Sequence, residues 1–439
     1  MQRYLGRLAC PLLLVAWLTT SAAAESLSLD FSSQVTVKGK ASETRTHLVH
    51  VLIGPSTTLV EDRDDRTLYD FAGGRVYDLR SSKSDSLYAN VGGRQAEMAN
   101  RFMLGGALGA ANITEPSFDP VMIEQLFSMM PPSGVGSAAR PELAEPDGAA
   151  SVRATYKDKA LLTASAAGFA VDPERSRLYV RFVRYYLSGH PEALARLTAT
   201  HRVPDTLSVY QVNPGEERTT TLTLTKHELV AQDPTVPAGF QETYADQPLE
   251  QRLKAAAALP ANPPDLGLND VTELIKSKQY LGAVLACFEN FLCLGGGLSP
   301  AMTENRALFM ADPSASKLFA NLQAADPAGL THSLGELKSL EPNAGTRLFV
   351  LQVFEAGLTM QQGPSSRDQG RDLYLKALET QPRLAGAWKD LGDYYFTSYE
   401  SARGWRCWDT ARRLAPHHRM LEQINELESH LKSEYPDFF

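Results

Sequence analysis

The sequence predicts an α+β protein of two domains, an N-terminal antiparallel β-rich domain with a helical insertion and a C-terminal all-α domain of repeated helices. Two periodicities and one change of composition lead to this prediction. Apolar and polar residues alternate along much of 25–245, as in strands that are buried on one face. From 269 to 439 apolar residues recur every three or four positions, which is typical of amphipathic helices. Between them, 246–268 is rich in proline and alanine and is predicted to be a linker.

Residues 1–24 have the pattern of a secretory signal peptide. Arg3 and Arg7 give a positively charged start, and an apolar run follows from Leu8 to Leu18. Three alanines that end at Ala24 form a small-residue cleavage site. We therefore expect cleavage near Ala24 and an exported protein, either periplasmic or secreted.

The composition excludes several classes of function. The chain has 439 residues, of which 43% are hydrophobic and 21% are charged, and this suffices for two or three domains with hydrophobic cores. A net charge of −8 argues against a general nucleic-acid binder. Beyond the first apolar run, no segment has the length and apolarity of a membrane span. We therefore expect neither a nucleic-acid partner nor an integral membrane protein.

The β-rich domain is predicted to start as a meander. A hairpin is expected where 66–71 and 75–79 flank Gly73 and Gly74, because glycine suits a tight turn. The other predicted strands cover 27–31, 35–37, 46–53, 57–60, 86–91, 152–156, 160–166, 178–186, 206–212 and 219–229. The alternation within them predicts an antiparallel sheet with one covered face.

Helices are predicted within the same domain. Helical spacing of apolar residues places two of them at 94–108 and 120–130, with Asp119 as the cap of the second. A short helix is expected at 190–200, with Pro191 in its first turn. A curved sheet under such a layer is able to hold a lipid or a lipoprotein tail. The alternative is a sheet whose covered face is filled by its own side chains.

The C-terminal half is predicted to be helical throughout. Asp270 and Glu273 have the spacing of a capping box, and the glycines at 295–297 should end that helical region. Further helices are expected to begin near 303, 314, 327, 344 and 367, and 418–434 would be the closing helix.

One stretch of this half carries a repeat signature. Eight positions match a known pattern in frame, namely Trp388, Leu391, Gly392, Tyr395, Gly404, Trp408, Ala411 and Pro416. An earlier half-repeat has the same spacing, with Gly370, Tyr374, Ala377 and Pro382. The two closing prolines lie one period of 34 residues apart. The chain here resembles a tetratricopeptide repeat (TPR) protein, a family built from pairs of antiparallel helices.

The resemblance implies a concave groove and a protein or peptide that binds in it. Its groove-facing positions in the clear repeat are Lys389, Asp393 and Phe396. TPR domains that clamp a terminal carboxylate use a lysine followed by asparagines. Lys389 fits this pattern, whereas Asp393 places a negative charge where an asparagine is expected. Arginines at 403, 406, 412, 413 and 419 form either a solvated outer face or a docking surface for an acidic partner.

No catalytic residue, metal site or cofactor is predicted. The sequence lacks a Cys-x-x-Cys pair, the His-Glu-x-x-His and Gly-x-Ser-x-Gly motifs, and a phosphate-binding glycine loop. Three cysteines remain after cleavage, Cys287, Cys293 and Cys407. A bend near Asn290 would permit a disulfide between Cys287 and Cys293, and buried free thiols are the alternative.

These observations favour a non-enzymatic scaffold or assembly factor of the cell envelope that binds protein through a TPR-like groove. The alternative is a carrier or sensor whose curved N-terminal sheet holds a lipid or a lipoprotein-type apolar ligand. A hydrolase with a dispersed site is a third class that the sequence leaves open.

Overall fold

The computed structural model describes residues 25–39, 42–131, 139–148, 150–243, 246–261, 268–296, 299–322 and 327–439. The predicted signal peptide, 1–24, lies outside these ranges, as does 262–267 in the predicted linker.

The N-terminal half contains an antiparallel sheet of eleven strands. The strands of this half are β1 (Ser26–Lys38), β2 (Glu43–Ile53), β3 (Thr57–Asp62), β4 (Asp65–Asp70), β5 (Arg75–Asp78), β6 (Lys83–Ser86), β7 (Glu142–Ala144), β8 (Val152–Tyr156), β9 (Lys159–Ala164), β10 (Gly168–Ala170), β11 (Arg202–Pro204), β12 (Thr206–Asn213) and β13 (Glu216–Val230). In the large sheet they lie in the order β6-β5-β4-β3-β2-β1-β13-β12-β9-β8-β7, while β10 and β11 pair separately. The predicted antiparallel β-rich domain is confirmed.

The first and last strands of this half lie side by side at the centre of the sheet. β1 pairs along its length with β2 on one side and with β13 on the other. The hairpin ladder from β2 to β6 therefore extends toward one edge, and β12, β9, β8 and β7 extend toward the other. The helical insertion leaves the sheet from β6, which is an edge strand.

The N-terminal half has four described α-helices, of which the last three contribute residues to the core beneath the sheet. They are α1 (Leu87–Ala110), α2 (Pro120–Phe127), α3 (Pro173–Tyr186) and α4 (Pro191–Ala199). Phe182 of α3 stacks on Phe31 of β1, with ring centroids 6.2 Å apart, and both rings are buried. Leu48 lies opposite Ser32 in the ladder, on the other face, and is 74% exposed. The protein's own side chains thus fill much of the covered face.

Two predicted strands are helices. The segment 86–91 was expected to extend the meander, but Ser86 caps α1 by accepting a hydrogen bond from the backbone nitrogen of Tyr88. The segment 178–186 belongs to α3, whose start is fixed by Asp172 as cap and Pro173 in the first turn. The second prediction was wrong because the aromatic and β-branched residues of 178–186 favour strands locally, whereas their burial around α3 stabilises them as a helix.

The C-terminal half is all helical. Its helices are α5 (Gln247–Ala257), α6 (Leu268–Lys276), α7 (Tyr280–Leu294), α8 (Pro300–Glu304), α9 (Arg306–Ala311), α10 (Pro313–Ala320), α11 (Pro327–Leu340), α12 (Leu348–Gln361), α13 (Arg367–Thr380), α14 (Ala385–Thr397), α15 (Ser401–Leu414) and α16 (Glu422–Glu434). Gly295 ends α7 in the left-handed conformation, with φ of 68°. The many helices are compatible with a helical repeat.

Two details of the predicted boundaries need correction. The segment 246–268 is not irregular throughout, because Asp246 caps α5 and the buried Leu249 and Leu253 hold this helix against the rest of the chain. Of the prolines that suggested a linker, Pro248 lies in the first turn of α5, where proline is tolerated. The expected capping box is also displaced, because α6 begins at Leu268 and Asp270 lies in its first turn.

Two helix pairs repeat one mode of close packing. A Cβ atom added at Gly404 of α15 would lie 3.0 Å from the carbonyl oxygen of Gly392 in α14. A Cβ atom at Gly370 of α13 would lie 3.0 Å from the carbonyl oxygen of Ala356 in α12. The glycines at 370 and 404 are 34 residues apart and the carbonyls that they approach are 36 apart, so a similar contact recurs with nearly the period seen in the sequence.

The larger hydrophobic core crosses from one half of the chain to the other. Leu87, Val91 and Met98 of α1 belong to the same buried cluster as Trp388 of α14 and Leu431 of α16. The last residues of the sequence also contact the sheet half, because the hydroxyl of Tyr185 donates a hydrogen bond of 3.0 Å to the carbonyl oxygen of Phe438. The two halves are therefore packed together through a shared interior.

Candidate binding sites

The three predicted groove residues lie on one face of α14. The ammonium of Lys389 is 2.7 Å from a carboxylate oxygen of Asp393 one turn away. The indole nitrogen of Trp408 donates to the other carboxylate oxygen of Asp393 at 3.1 Å. Phe396 is 39% exposed, and its ring packs on Trp405 and Trp408 at centroid distances of 5.6 and 5.2 Å. Lys389 is thus already paired within its own helix.

The repeat residues beside this face form the interior of the α14–α15 pair. Trp388, Leu391 and Tyr395 have no exposed surface, and Trp408 and Ala411 are also buried. A Cβ atom at Gly392 would lie 2.3 Å from the Trp408 ring. Pro416 follows the end of α15 at Leu414, where a helix can no longer continue.

The arginines of α15 bind other parts of this chain. Arg406 is 92% buried, and it is 2.5 Å from Glu250 of α5 and 2.9 Å from Glu242. Glu242 also lies 3.0 Å from Arg75 of β5, and Arg75 lies 3.3 Å from Asp409 of α15. We call these five residues the arginine network. They form neither a solvated face nor a free docking surface, because their charges are paired across the two halves.

The other arginines of α15 are also engaged. Arg412 pairs with Asp409 and Glu428, and Arg413 donates to the carbonyl oxygens of Ala256 and Leu259. The spacing of the arginines was the sequence feature that suggested such pairs. It did not identify the residues between 242 and 259 as their partners.

The cysteines are free thiols and buried. Cys287 and Cys293 both lie on α7 without a bond between them, and Cys407 lies on α15. Burial raises the pKa of all three thiols. Because the thiolate is the reactive form, these groups are poor nucleophiles and poor metal ligands near neutral pH.

The remaining candidates for chemistry are separate from one another. Among the described residues no three His, Cys, Asp or Glu side chains are grouped so that they could hold a metal ion. His47 faces Asp62 at 2.9 Å, whereas His50 faces Asp30 at 2.6 Å on the other side of the sheet. In the part of the chain that the structure describes, no helix has the length and apolarity that a membrane crossing requires.

An apolar cavity lies where α1 ends near β9 and β12. Its volume is about 430 Å³. Apolar side chains form most of its wall, namely Leu108, Ile113, Pro116, Phe118, Met122 and Tyr210. This volume lies within the range of about 300–1,000 Å³ that is common for small-molecule sites. We call it the α1 cavity.

Both cations that line the α1 cavity are paired with carboxylates, while Glu115 and Asp158, which also line it, form no ion pair among the described residues. Lys157 lies 2.8 Å from Asp119, and Lys159 lies 3.2 Å from Glu217. The hydroxyl of Tyr156 also donates to Asp119 at 3.2 Å. Because each of these cations already has its carboxylate, the lining offers little to an anionic ligand, and its apolar wall favours an apolar one.

Glycines shape the wall that α1 contributes. A Cβ atom at Gly105 would lie 2.9 Å from the carbonyl oxygen of Phe118, so this glycine lets α1 approach the turn that begins at Pro116. A Cβ atom at Gly109 would meet no described atom within 4 Å, although Gly109 lines the cavity. Sequence reasoning missed this site, because its wall comes from four separate segments and only the run of glycines in α1 hinted at open space.

No protein-family model matches the chain, and no curated protein matches it either. Among solved structures, it is similar to a chain described as "lipid-protein interactions in lipovitellin", with 9% sequence identity and a TM-score of 0.14. That match covers 94% of this chain and spans only 56% of the other. A TM-score this low does not establish a shared fold.

Proposed function

We propose that this protein is an exported, non-enzymatic carrier or sensor that holds a small apolar ligand or a single acyl chain in the α1 cavity. The observation that carries the proposal is a cavity with a largely apolar wall whose two lysines are already paired with carboxylates. Burial of an apolar ligand there gains about 25 cal/mol for each Å² removed from water.

The surface beside the cavity supports the same function. Met103, Leu104 and Ile113 are exposed apolar side chains at or near the end of α1. Exposed apolar side chains that lie together mark places where a protein meets a ligand, a membrane or another protein. A ligand that arrives from a lipid phase would meet these side chains before it enters the cavity.

The experiment uses N-phenyl-1-naphthylamine, a neutral apolar dye whose fluorescence rises on binding. Gly109→Leu places a side chain in the cavity without displacing protein atoms, and leucine favours the helix over glycine. We expect saturable binding to the wild type and binding at least ~10-fold weaker in Gly109→Leu. Gly106→Leu is the matched control, because Gly106 lies on the same helix, has the same open space and does not line the cavity.

Three outcomes would overturn the proposal. They are the absence of saturable fluorescence with the wild type, equal binding by the two leucine variants, and loss of binding in both variants. The last result would mean that the dye responds to the helix end and not to the cavity.

We also propose that the helical half is TPR-like and binds a protein partner, as the sequence resemblance implies. The recurrence of one glycine contact in two helix pairs 34 residues apart favours it. The partly exposed face of Lys389, Asp393 and Phe396 is the proposed contact surface. Phe396→Asp in the full chain should lose an envelope protein that the wild type retains in a pull-down. Equal recovery by both proteins would contradict this second proposal.

A further inference from the structure

A second cavity lies beside α3 and, unlike the α1 cavity, is lined largely by charged side chains. Its volume is about 290 Å³, and it lies between α3, α4 and the last residues of the chain. Three arginines of α3 line it, Arg177, Arg181 and Arg184, together with Val180, Ala195, Thr198 and Asp437. A single water occupies about 30 Å³ in the liquid, so this space is large enough for a small polyatomic ion. We call it the arginine cavity.

Arg181 is the unusual residue of the arginine cavity. It is only 5% exposed, and its guanidinium carbon lies 3.4 Å from the centre of the Phe71 ring, which holds it in place. One nitrogen donates a hydrogen bond of 3.0 Å to the main-chain oxygen of Phe439. Its Nε and Nη2 atoms are buried and have no hydrogen-bond partner among the described residues. A buried donor without a partner costs about 1–3 kcal/mol, and more when it is charged.

Carboxylate side chains near the cavity do not compensate Arg181. Glu174 lies 2.7 Å from Arg177, and Asp437 lies 2.6 Å from Arg184. No Asp or Glu of the described residues forms an ion pair with Arg181. Burial, followed by the charge of Arg177, lowers the pKa of Arg181 to about 10. Burial also lowers the pKa of Arg184, and the charge of Arg94 contributes to the same effect. The surroundings of α3 thus carry an excess of positive charge.

We infer that the arginine cavity binds a phosphate group, either as free phosphate or as the head group of a phosphorylated ligand. Guanidinium groups present several N–H donors in a fixed plane that matches the oxygens of phosphate. An anion seated between Arg177 and Arg181 would place its negative charge beside the guanidinium of Arg181, whose Nε and Nη2 atoms are buried. It would also neutralise the one cation of the three that lacks a carboxylate side chain. Because this site is lined by none of the residues of the α1 cavity, the inference goes beyond the proposed function.

Titration calorimetry on the full chain tests the site with inorganic phosphate, and separately with a soluble short-chain phosphatidic acid. We expect saturable heat with at least one of the two probes. Arg181→Met keeps the length of the side chain and removes the charge, and binding should weaken at least ~10-fold. Arg175→Met is the matched control, because Arg175 lies on the same helix, pairs with Asp172 and does not line the cavity. Its affinity should equal that of the wild type.

A second variant distinguishes loss of the binding site from misfolding of the protein. Arg177 lies at the exposed side of the cavity, so Arg177→Gln should fold like the wild type and bind phosphate more weakly. Tighter binding of the phosphatidic acid would assign a lipid head group, and equal binding would assign free phosphate. The inference is overturned if neither probe gives saturable heat, or if Arg181→Met and Arg175→Met bind alike.

Discussion

At Glu355 of α12 the protein buries a carboxyl group that lacks an ion-pair partner among the described residues. The residue is 1% exposed, and its Oε1 atom has no hydrogen-bond partner in the described chain. Burial, together with the nearby carboxylate of Glu341, raises the pKa of Glu355 to about 7. The cause is that a charged carboxylate is poorly solvated inside a protein. Near neutral pH the folded state therefore tends to keep Glu355 protonated.

This raised pKa predicts that the protein loses stability as the pH rises. The folded-state pKa of about 7 exceeds the ordinary value of 4.5, so folding takes up a proton between these values. The stabilisation is complete below 4.5 and is lost as the pH rises through 7, at roughly 1.4 kcal/mol per pKa unit. Urea unfolding across this range should show the loss in the wild type and a smaller loss in Glu355→Gln. Equal slopes for the two proteins would contradict the assignment.

Single residues of α14 show what sequence reasoning captures well. Trp388 and Tyr395 were placed from their spacing alone, and both lie fully buried on one side of a helix. Their partners were harder to foresee. The hydroxyl of Tyr395 donates to Asp246 at 3.0 Å, across 149 residues of sequence. Periodicity determines which face of a helix is buried, but it does not name the distant side chain that meets it.

At the scale of elements, close packing of helix pairs depends on glycine. Gly392 and Gly404 face each other between α14 and α15, and the ring of Trp408 fills the remaining space. Helices that approach this closely have no room for a methyl group at the contact.

This packing gives opposite predictions for two glycines in helices. Gly392→Ala should destabilise the protein, because the new Cβ atom meets the buried Trp408 ring, and overpacking of a core costs about 1–3 kcal/mol. Gly335→Ala on α11 should stabilise it by about 0.5–1 kcal/mol, because its Cβ atom meets no described atom within 4 Å. Free energies of unfolding measure both effects. Stabilisation by both substitutions would show that helix propensity, and not the close contact, controls these sites.

Elements were predicted best where one periodicity is clear. The strands around Gly73 and Gly74 and the helix capped by Asp119 have strong local signals. α3 was missed because its run of aromatic and β-branched residues is buried on most sides, and because Arg181 and Arg184 are buried as well, so its polar residues do not mark an exposed helix face. α5 was missed because proline at the start of a helix looks the same in sequence as proline in a linker.

At the scale of the whole molecule, the arginine network joins the sheet to the helical half. Arg406 contacts Glu250 across 156 residues of sequence and Glu242 across 164. Charges that are largely buried depend on each other, since a single unpaired member is costly.

Loss of Arg406 should therefore weaken the contact between the halves. Arg406→Met is expected to cost about 3–5 kcal/mol, because it leaves Glu250 and Glu242 without their shared cation. Addition of Glu250→Gln should restore part of that loss. Hydrogen exchange should become faster in β5 and β6 as well as in α15. Faster exchange confined to α15 would show that the network does not couple the two halves.

The α1 cavity could not be predicted from the sequence, because segments that are far apart in the chain form its wall. Its wall combines the end of α1, the turn at Pro116, and residues of α2, β9, β12 and β13, which only the tertiary fold brings together. The sequence left two alternatives open, a sheet that holds an apolar ligand and a sheet whose covered face is filled by its own side chains. It did not indicate that open space lies beside the filled face.

Native mass spectrometry of the protein, released from cell envelopes without detergent, tests the central claim most directly. The wild type should carry the added mass of an apolar ligand, Gly106→Leu should carry the same mass, and Gly109→Leu should show the mass of the bare chain. A bare wild-type chain, or the same ligand retained by Gly109→Leu, would contradict the account.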